Sequence, residues 1–317
     1  MLRTNCNRVT KALRRGGAVA ALLVFLPAAP QQQAVGQQGG AAARGGGGGR
    51  PQPDPIDFNE HDGWVSLFDG RTLNGWSGDD KWRVEDGAIS IESTCEHPTG
   101  TVYLVWQGGE VSNFELKLEM KGTGDINSGV QYRSWILPPR QAGAARAGGG
   151  GGAGGQGRAR GASAQSGAVA KGPGNGPCPN GMGPRPDPAM EAAWDMGGPQ
   201  YDFDNGNRYP GQFYEQATGR GIIAFKGQVV RTETGKKPRL LALLGDKDTV
   251  DSWYKPNEYN QEHIIAIGNN YTHLLNGHIA SILIDEDQTK FHASGKIGIE
   301  VESIGKLWVR NIWLKRL

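Results

Sequence analysis

Polar and apolar residues alternate through most of the chain beyond residue 63. In Phe114-Glu115-Leu116-Lys117-Leu118-Glu119-Met120-Lys121 every second position is apolar and every position between them is charged. Successive side chains of a strand point to opposite faces, so this run predicts a strand with one buried and one solvated face. Val130-Gln131-Tyr132-Arg133 repeats the alternation. Ile222-Ile223-Ala224-Phe225, Ile264 to Ile267, Tyr271 to Leu275, Ile279 to Ile284, Ile297 to Val301 and Leu307 to Leu314 read as further strands. Asp86-Gly87 lies between Trp82-Arg83-Val84 and Ile89-Ser90-Ile91, and Asn276-Gly277 precedes Ile279. Both dipeptides tolerate the positive φ of a two-residue hairpin turn. Only Pro188 to Trp194 hints at a helical turn. Many short strands punctuated in this way predict an all-β fold, a sandwich or jelly roll with one curved, partly polar face.

Three stretches depart from the pattern. Residues 1–30 have the form of a signal peptide: Arg3, Arg8, Lys11, Arg14 and Arg15 make a basic region, Ala18 to Leu26 is apolar, and Ala28 and Ala29 follow. The apolar run is too short to span a bilayer, so the chain is expected to be exported to the periplasm or outside, without stable membrane insertion. Residues 31–56, rich in Gln, Gly, Ala and Pro, read as a flexible linker. The domain is expected over residues 57–317. Inside it, residues 139–188 form a second low-complexity tract, expected to be a disordered insertion because it lacks the large apolar residues that would offset its ordering entropy. Cys6 leaves with the signal, and export permits a disulfide between Cys95 and Cys178.

Charge follows the same division. Residues 1–53 hold seven basic residues and no acid, and residues 139–186 hold six and no acid. Of 34 basic residues this leaves 21 against all 32 acids in the folded part, a net charge near −11. Phosphates would be repelled, which argues against nucleic acid as a partner.

Three segments can carry chemistry. Period-2 geometry puts Gly129, Gln131 and Arg133 on one face of a strand that begins at Asn127; a strand Gly admits a close approach and Arg offers a fork of donors. The alternative is a solvated face with a salt-bridged Arg. In Gln200-Tyr201-Asp202-Phe203-Asp204 the amide and both carboxylates share a face. Carboxylates at i and i+2 lie roughly 6.5–7 Å apart, a spacing that suits an acid/base pair, a divalent ion such as calcium, or an ordinary polar face. Tyr214-Glu215 can stack on and hydrogen-bond a sugar or supply a base, and the alternative there is a tethered loop. His273 is a ligand candidate or a core histidine. No nucleotide loop, nucleophile elbow, zinc-type spacing or Cys–His pair is present, nor the Glu-x-Asp-x-Glu strand of laminarinase-type jelly rolls.

Taken together, Leu67-Phe68-Asp69-Gly70, Gly75-Trp76, Trp82-x-Val84-x-Asp86-Gly87, Asn113-Phe114-Glu115-Leu116, Asn127-Ser128-Gly129, Gln131-Tyr132-Arg133, Gln200-x-Asp202, Tyr214-Glu215, His273-x-x-Asn276-Gly277 and Arg310-Asn311-Ile312-x-Leu314-Lys315 resemble the 3-keto-disaccharide hydrolase domain family. The resemblance implies a concanavalin A-like jelly roll of two antiparallel sheets acting on sugars. It also implies a concave face lined by Asn127, Arg133, Gln200, Asp202, Tyr214 and Glu215. Where many relatives have Gln-x-His in the penultimate strand, this chain has Glu300-Val301-Glu302. The implied reaction cleaves a glycoside whose C3 hydroxyl is already a ketone, by abstraction of the C2 proton, elimination at C1 and hydration. Asp202 or Glu215 is the expected base and Arg133, with or without a divalent metal, the electrophile; Asn127, Gln131, Gln200, Tyr214 and His273 are expected to bind substrate. A lectin-like carbohydrate-binding module and a conventional glycosidase are the alternatives, since fold does not fix function.

Overall fold

The computed structural model describes residues 57–138 and 194–317. The signal-type segment, the linker, the 139–188 insertion, Cys178 and nearly all of the expected helical turn at 188–194 lie outside the described residues. Cys95 is disulfide-bonded.

The first seven strands are β1 (Val65–Ser66), β2 (Trp76–Gly78), β3 (Arg83–Glu85), β4 (Ala88–Ser93), β5 (Val102–Trp106), β6 (Phe114–Gly124) and β7 (Asn127–Ile136). After the insertion come β8 (Met196–Asp204), β9 (Phe213–Gln216), β10 (Gly221–Ala224), β11 (Gln228–Glu233) and β12 (Arg239–Leu243). The chain closes with β13 (Asn260–Ile267), β14 (Asn270–Leu275), β15 (His278–Glu286), β16 (Lys296–Glu302) and β17 (Gly305–Arg316). A 10-stranded sheet has the order β12-β11-β15-β14-β13-β6-β17-β4-β3, with β1 also on β17; a 7-stranded sheet has the order β10-β9-β8-β7-β16-β5-β2. Neighbours run antiparallel except β11 and β15. The fold is the expected all-β jelly-roll sandwich.

The alternation explains the layers. Phe114, Leu116, Leu118 and Met120 of β6 are buried, while Glu115, Glu119 and Lys121 on the other face are not. The apolar face meets Val130, Tyr132, Tyr201, Phe203, Ile299 and Val301 of the 7-stranded sheet in one core. Both hairpin signals are turns: Asp86 and Gly87 take φ of 51° and 75°, and Asn276 and Gly277 take 49° and 81°. Asn276 fixes the second turn further, since its Nδ2 donates to Trp253 O and its Oδ1 accepts from the Gln261 amide.

The helix among the described residues, α1 (Lys247–Asp251), was not legible as apolar periodicity because only Val250 is buried. Its start does carry a capping signal: the Asp246 side chain accepts from Thr249 N.

Candidate active site

Because Tyr201, Phe203, Ile299 and Val301 face the core, alternation turns their neighbours onto the outer face of the 7-stranded sheet. Strand register then arranges that face in rows. One row runs Asp202, Gly129, Glu300, Tyr103 across β8, β7, β16 and β5. Beside it lie Gln200, Gln131 and Gly298, with Tyr214 of β9 next to Gln200. On the other side lie Asp204, Asn127 and Glu302.

Gly129 is the gap in the central row. A Cβ there would run into the Gln200 side chain, which crosses the gap so that its Nε2 donates to Glu300 Oε2. Tyr103 OH donates to the other Glu300 oxygen at 2.9 Å. Asp202 and Glu300 thus stand two strand spacings apart, roughly 9–10 Å between their backbones. Asp202 is 7 % exposed and Glu300 5 %. Gln212 Nε2 donates to Asp202 Oδ2 at 2.6 Å. Asn127 Nδ2 donates to Glu302 Oε1, and Thr101 Oγ1 to Glu302 Oε2. Asp204 is absorbed by its own turn, accepting from the Gly206, Arg208 and Tyr209 amides and from Arg208 Nε.

The electrostatics follow from this crowding. Burial pushes the Asp202 carboxyl well above the usual carboxylate range; the Gln212 hydrogen bond opposes the shift, and the charges of Glu300, Glu302 and Asp204 add to it. Burial, then Glu300, raises the Tyr103 phenol, which remains a donor. Gln131 is fully buried: its Oε1 accepts from Ser134 Oγ, and its Nε2 has no hydrogen-bond partner. An unpaired amide donor in this row is costly unless a ligand oxygen meets it.

The structure brings together Asp202, Gln200, Gln131, Asn127 and Tyr214, and keeps three expected site residues away. Glu215 follows Tyr214 on β9, so it points to the opposite face, beside Phe213. There it pairs with Arg220, which also pairs with Asp285. Arg133 leaves the Gly129/Gln131 face because the ladder is irregular between Gln131 and Trp135 and Arg133 takes φ of 49°. Its Nε donates to Ser112 O, Nη1 to Gly268 O and Tyr271 OH, and Nη2 to Asn113 Oδ1. It is a buried clamp between the sheets. His273 stands on β14 inside the core, with Nε2 at 2.6 Å from Tyr132 OH. Burial pulls its pKa down to about 3, so the imidazole is neutral.

Tyr103, Gln212 and Glu300 belong to the site and were not among the expected residues. The Glu300-Val301-Glu302 alternation signals two carboxylates on one face, and β5 carries no comparable polar signal. Among the described residues no three His, Cys, Asp or Glu side chains are grouped to hold a metal ion, and the carboxylates of the face are engaged by amides and hydroxyls. The expected role for a divalent ion therefore finds no ligand set among the described residues of this face.

A 3-keto-disaccharide hydrolase of Bacteroides thetaiotaomicron is 35% identical over 83 residues, a match that covers 22% of this chain and 27% of that protein. Among solved structures, a protein of unknown function with a galectin-like fold from Bacillus subtilis aligns with a TM-score of 0.42 and 9% identity, covering 77% of this chain and 90% of its own. A carbohydrate-binding module from the same organism aligns at 0.38 and 10% identity, covering 76% and 95%. Residues 63–315, which contain every row of the face just described, match the model of the 3-keto-alpha-glucoside-1,2-lyase-like domain, and the chain belongs to that family.

Proposed function

We propose that the chain is an exported carbohydrate hydrolase that cleaves 3-keto-glycosides, with Asp202 as the base. The observation that carries this reading is the buried Asp202 carboxyl, held above its ordinary range one row away from the unpartnered Gln131 Nε2. A ketone at C3 acidifies the C2 proton, and a carboxylate with a raised pKa is a stronger base for it. As Asp202 takes that proton, the electron pair moves towards the C3 oxygen, where Gln131 Nε2 is the donor available to the developing enolate. Collapse of the enolate expels the C1 oxygen, with protonated Asp202 as the acid that can return the proton. Addition of water completes a net hydrolysis. Asn127, Gln200 and Tyr214 supply amide and phenol groups suited to sugar hydroxyls. Family membership supports the substrate class.

The test compares wild type and Asp202→Asn on a 3-keto-glucoside and on the same glucoside unoxidised. The variant should lose about 10²–10⁴ in kcat on the keto substrate, the usual contribution of a positioned base, and the unoxidised sugar should not be cleaved. Equal rates on both sugars would favour a conventional glycosidase built on Asp202 and Glu300. Binding without turnover on either would favour a lectin-like module. A fully active Asp202→Asn would remove the assignment.

A further inference from the structure

The outer face of the 10-stranded sheet, turned away from the Asp202 rows, carries a groove of about 530 Å³, a size ordinary for small-ligand sites. Two rows of side chains make its floor. Strand register sets Gln261 of β13, Glu119 of β6 and Arg310 of β17 side by side. In the next row Lys121 of β6 stands opposite Trp308 of β17, and Tyr259, just before β13, comes up on its other flank. Lys121 Nζ lies 4.2 Å from the Trp308 ring centre and 5.0 Å from that of Tyr259, and the Arg310 guanidinium lies 3.7 Å from the Tyr259 ring centre. One wall is the segment from Lys255 to Tyr259, and it is anchored from below. Asn260, fully buried, donates to Lys255 O and Glu258 O and accepts from the Lys255 amide. Asn276 Nδ2 donates to Asn260 Oδ1, and the Asn257 amide donates to Asn205 Oδ1. A wall fixed in this way needs little further ordering when a ligand binds.

The cationic donors of the groove are left open. Arg310 uses Nε on Glu119 Oε2 at 2.8 Å, and Asn311 Nδ2 donates to the same oxygen at 2.7 Å. Glu119 is thereby satisfied, while both terminal nitrogens of Arg310, whose side chain is 38% exposed, have no hydrogen-bond partner among the described residues. Lys121 Nζ and Lys255 Nζ are likewise engaged by no hydrogen bond or ion pair among the described residues. Acids outnumber bases in the folded part, so a shortage of acids does not explain these open cations. We propose that the groove binds an acidic saccharide, its carboxylate held by Arg310 and Lys121 and its hydroxyls by Gln261, Asn257 and Glu258. The guanidinium fork and the ammonium suit a carboxylate. Amides and the exposed Glu258 carboxylate suit hydroxyls. Glu258 and the negative charge of the folded part disfavour a densely charged polyanion, so one uronate-type charge fits better than a chain of phosphates. The site is independent of the reaction proposed for Asp202: it holds a glycan on the opposite sheet and needs no turnover.

Isothermal titration calorimetry on the full chain tests the proposal. The probes are a glucuronic acid-terminated disaccharide, the same disaccharide with its carboxylate reduced to an alcohol, and inorganic sulfate. Wild type should bind the uronate at least about tenfold more tightly than its neutral counterpart, a gap of order 1.4 kcal/mol, and added salt should weaken that binding. Lys121→Gln should lower the uronate affinity at least about tenfold with a melting temperature within a few degrees of wild type. Arg310→Lys, which keeps the charge and loses the fork, should lower it as well. Asp202→Asn should leave it unchanged. A wild-type chain that does not bind the uronate overturns the proposal, as does equal affinity for the neutral disaccharide. Sulfate bound as tightly as the uronate would remove the saccharide from the assignment. Binding lost in Asp202→Asn and kept in Lys121→Gln would place the sugar on the other sheet and overturn it too.

Discussion

Glu215 separates a catalytic reading from a structural one, and Glu215→Gln decides between them. In the structure its carboxylate accepts from Thr218 Oγ1 at 2.7 Å, from Arg220 Nε at 2.7 Å, and from Arg220 Nη2. Arg220 also meets Asp285 through Nη1 and Nη2, at 3.0 and 2.7 Å, and Thr232 Oγ1 donates to Asp285 at 2.6 Å. The Glu215 and Asp285 side chains are 1% exposed and that of Arg220 is 12%. The cluster ties the turn after β9 to β15 and β11. Glutamine keeps one acceptor oxygen but turns an NH₂ group towards the guanidinium, while Arg220 stays charged and paired with Asp285. Losing charge-assisted hydrogen bonds in a buried site should then cost about 2–4 kcal/mol. For a domain of this size that is a fall of roughly 4–16 °C in melting temperature. Turnover per folded molecule on a 3-keto-glucoside should stay within about twofold, because a residue outside the site does not contribute the 10²–10⁴ of a general base. Thermal melts and kcat on the same preparation provide both readings. A hundredfold loss of kcat with an unmoved melting temperature would refute the structural role and return Glu215 to the site.

Gly129→Ala should lower turnover while leaving the melting temperature within a few degrees, because the new Cβ displaces Gln200 from Glu300; kinetics beside a melt check it. Glu262→Met should raise stability by about 1–3 kcal/mol at neutral pH, because neither Glu262 oxygen has a hydrogen-bond partner in the core. Burial holds the Glu262 pKa above its ordinary 4.5, so the folded chain keeps a proton that the unfolded chain releases. Wild-type stability should therefore decline as pH rises from 4.5 through the folded pKa, and melts across pH should show a flatter profile for the variant.

Where the sequence was legible, and where it was not, follows from how far period-2 geometry reaches. It gives the strands and it gives the Gln200/Asp202 face, because nothing interrupts the ladder there. It already separates Tyr214 from Glu215, since adjacent residues of a strand cannot share a face. Arg133 is a different case. Its departure from Gly129 and Gln131 comes from an irregularity in the ladder and a positive φ at a non-glycine residue, and no residue type announces either. The glycine that was legible, Gly129, has a function fixed only by tertiary pairing: it makes room for an amide from β8 to reach a carboxylate on β16. That carboxylate, Glu300, stands where relatives were expected to carry glutamine, and the amide that meets it is Gln200. Across the gap the Gln200 amide donates to this carboxylate, so the charge at position 300 is met by a hydrogen bond. The departure in the penultimate strand is therefore compatible with an intact face, and it places the negative charge across Gly129 from Asp202, where it helps keep the proposed base above its ordinary pKa.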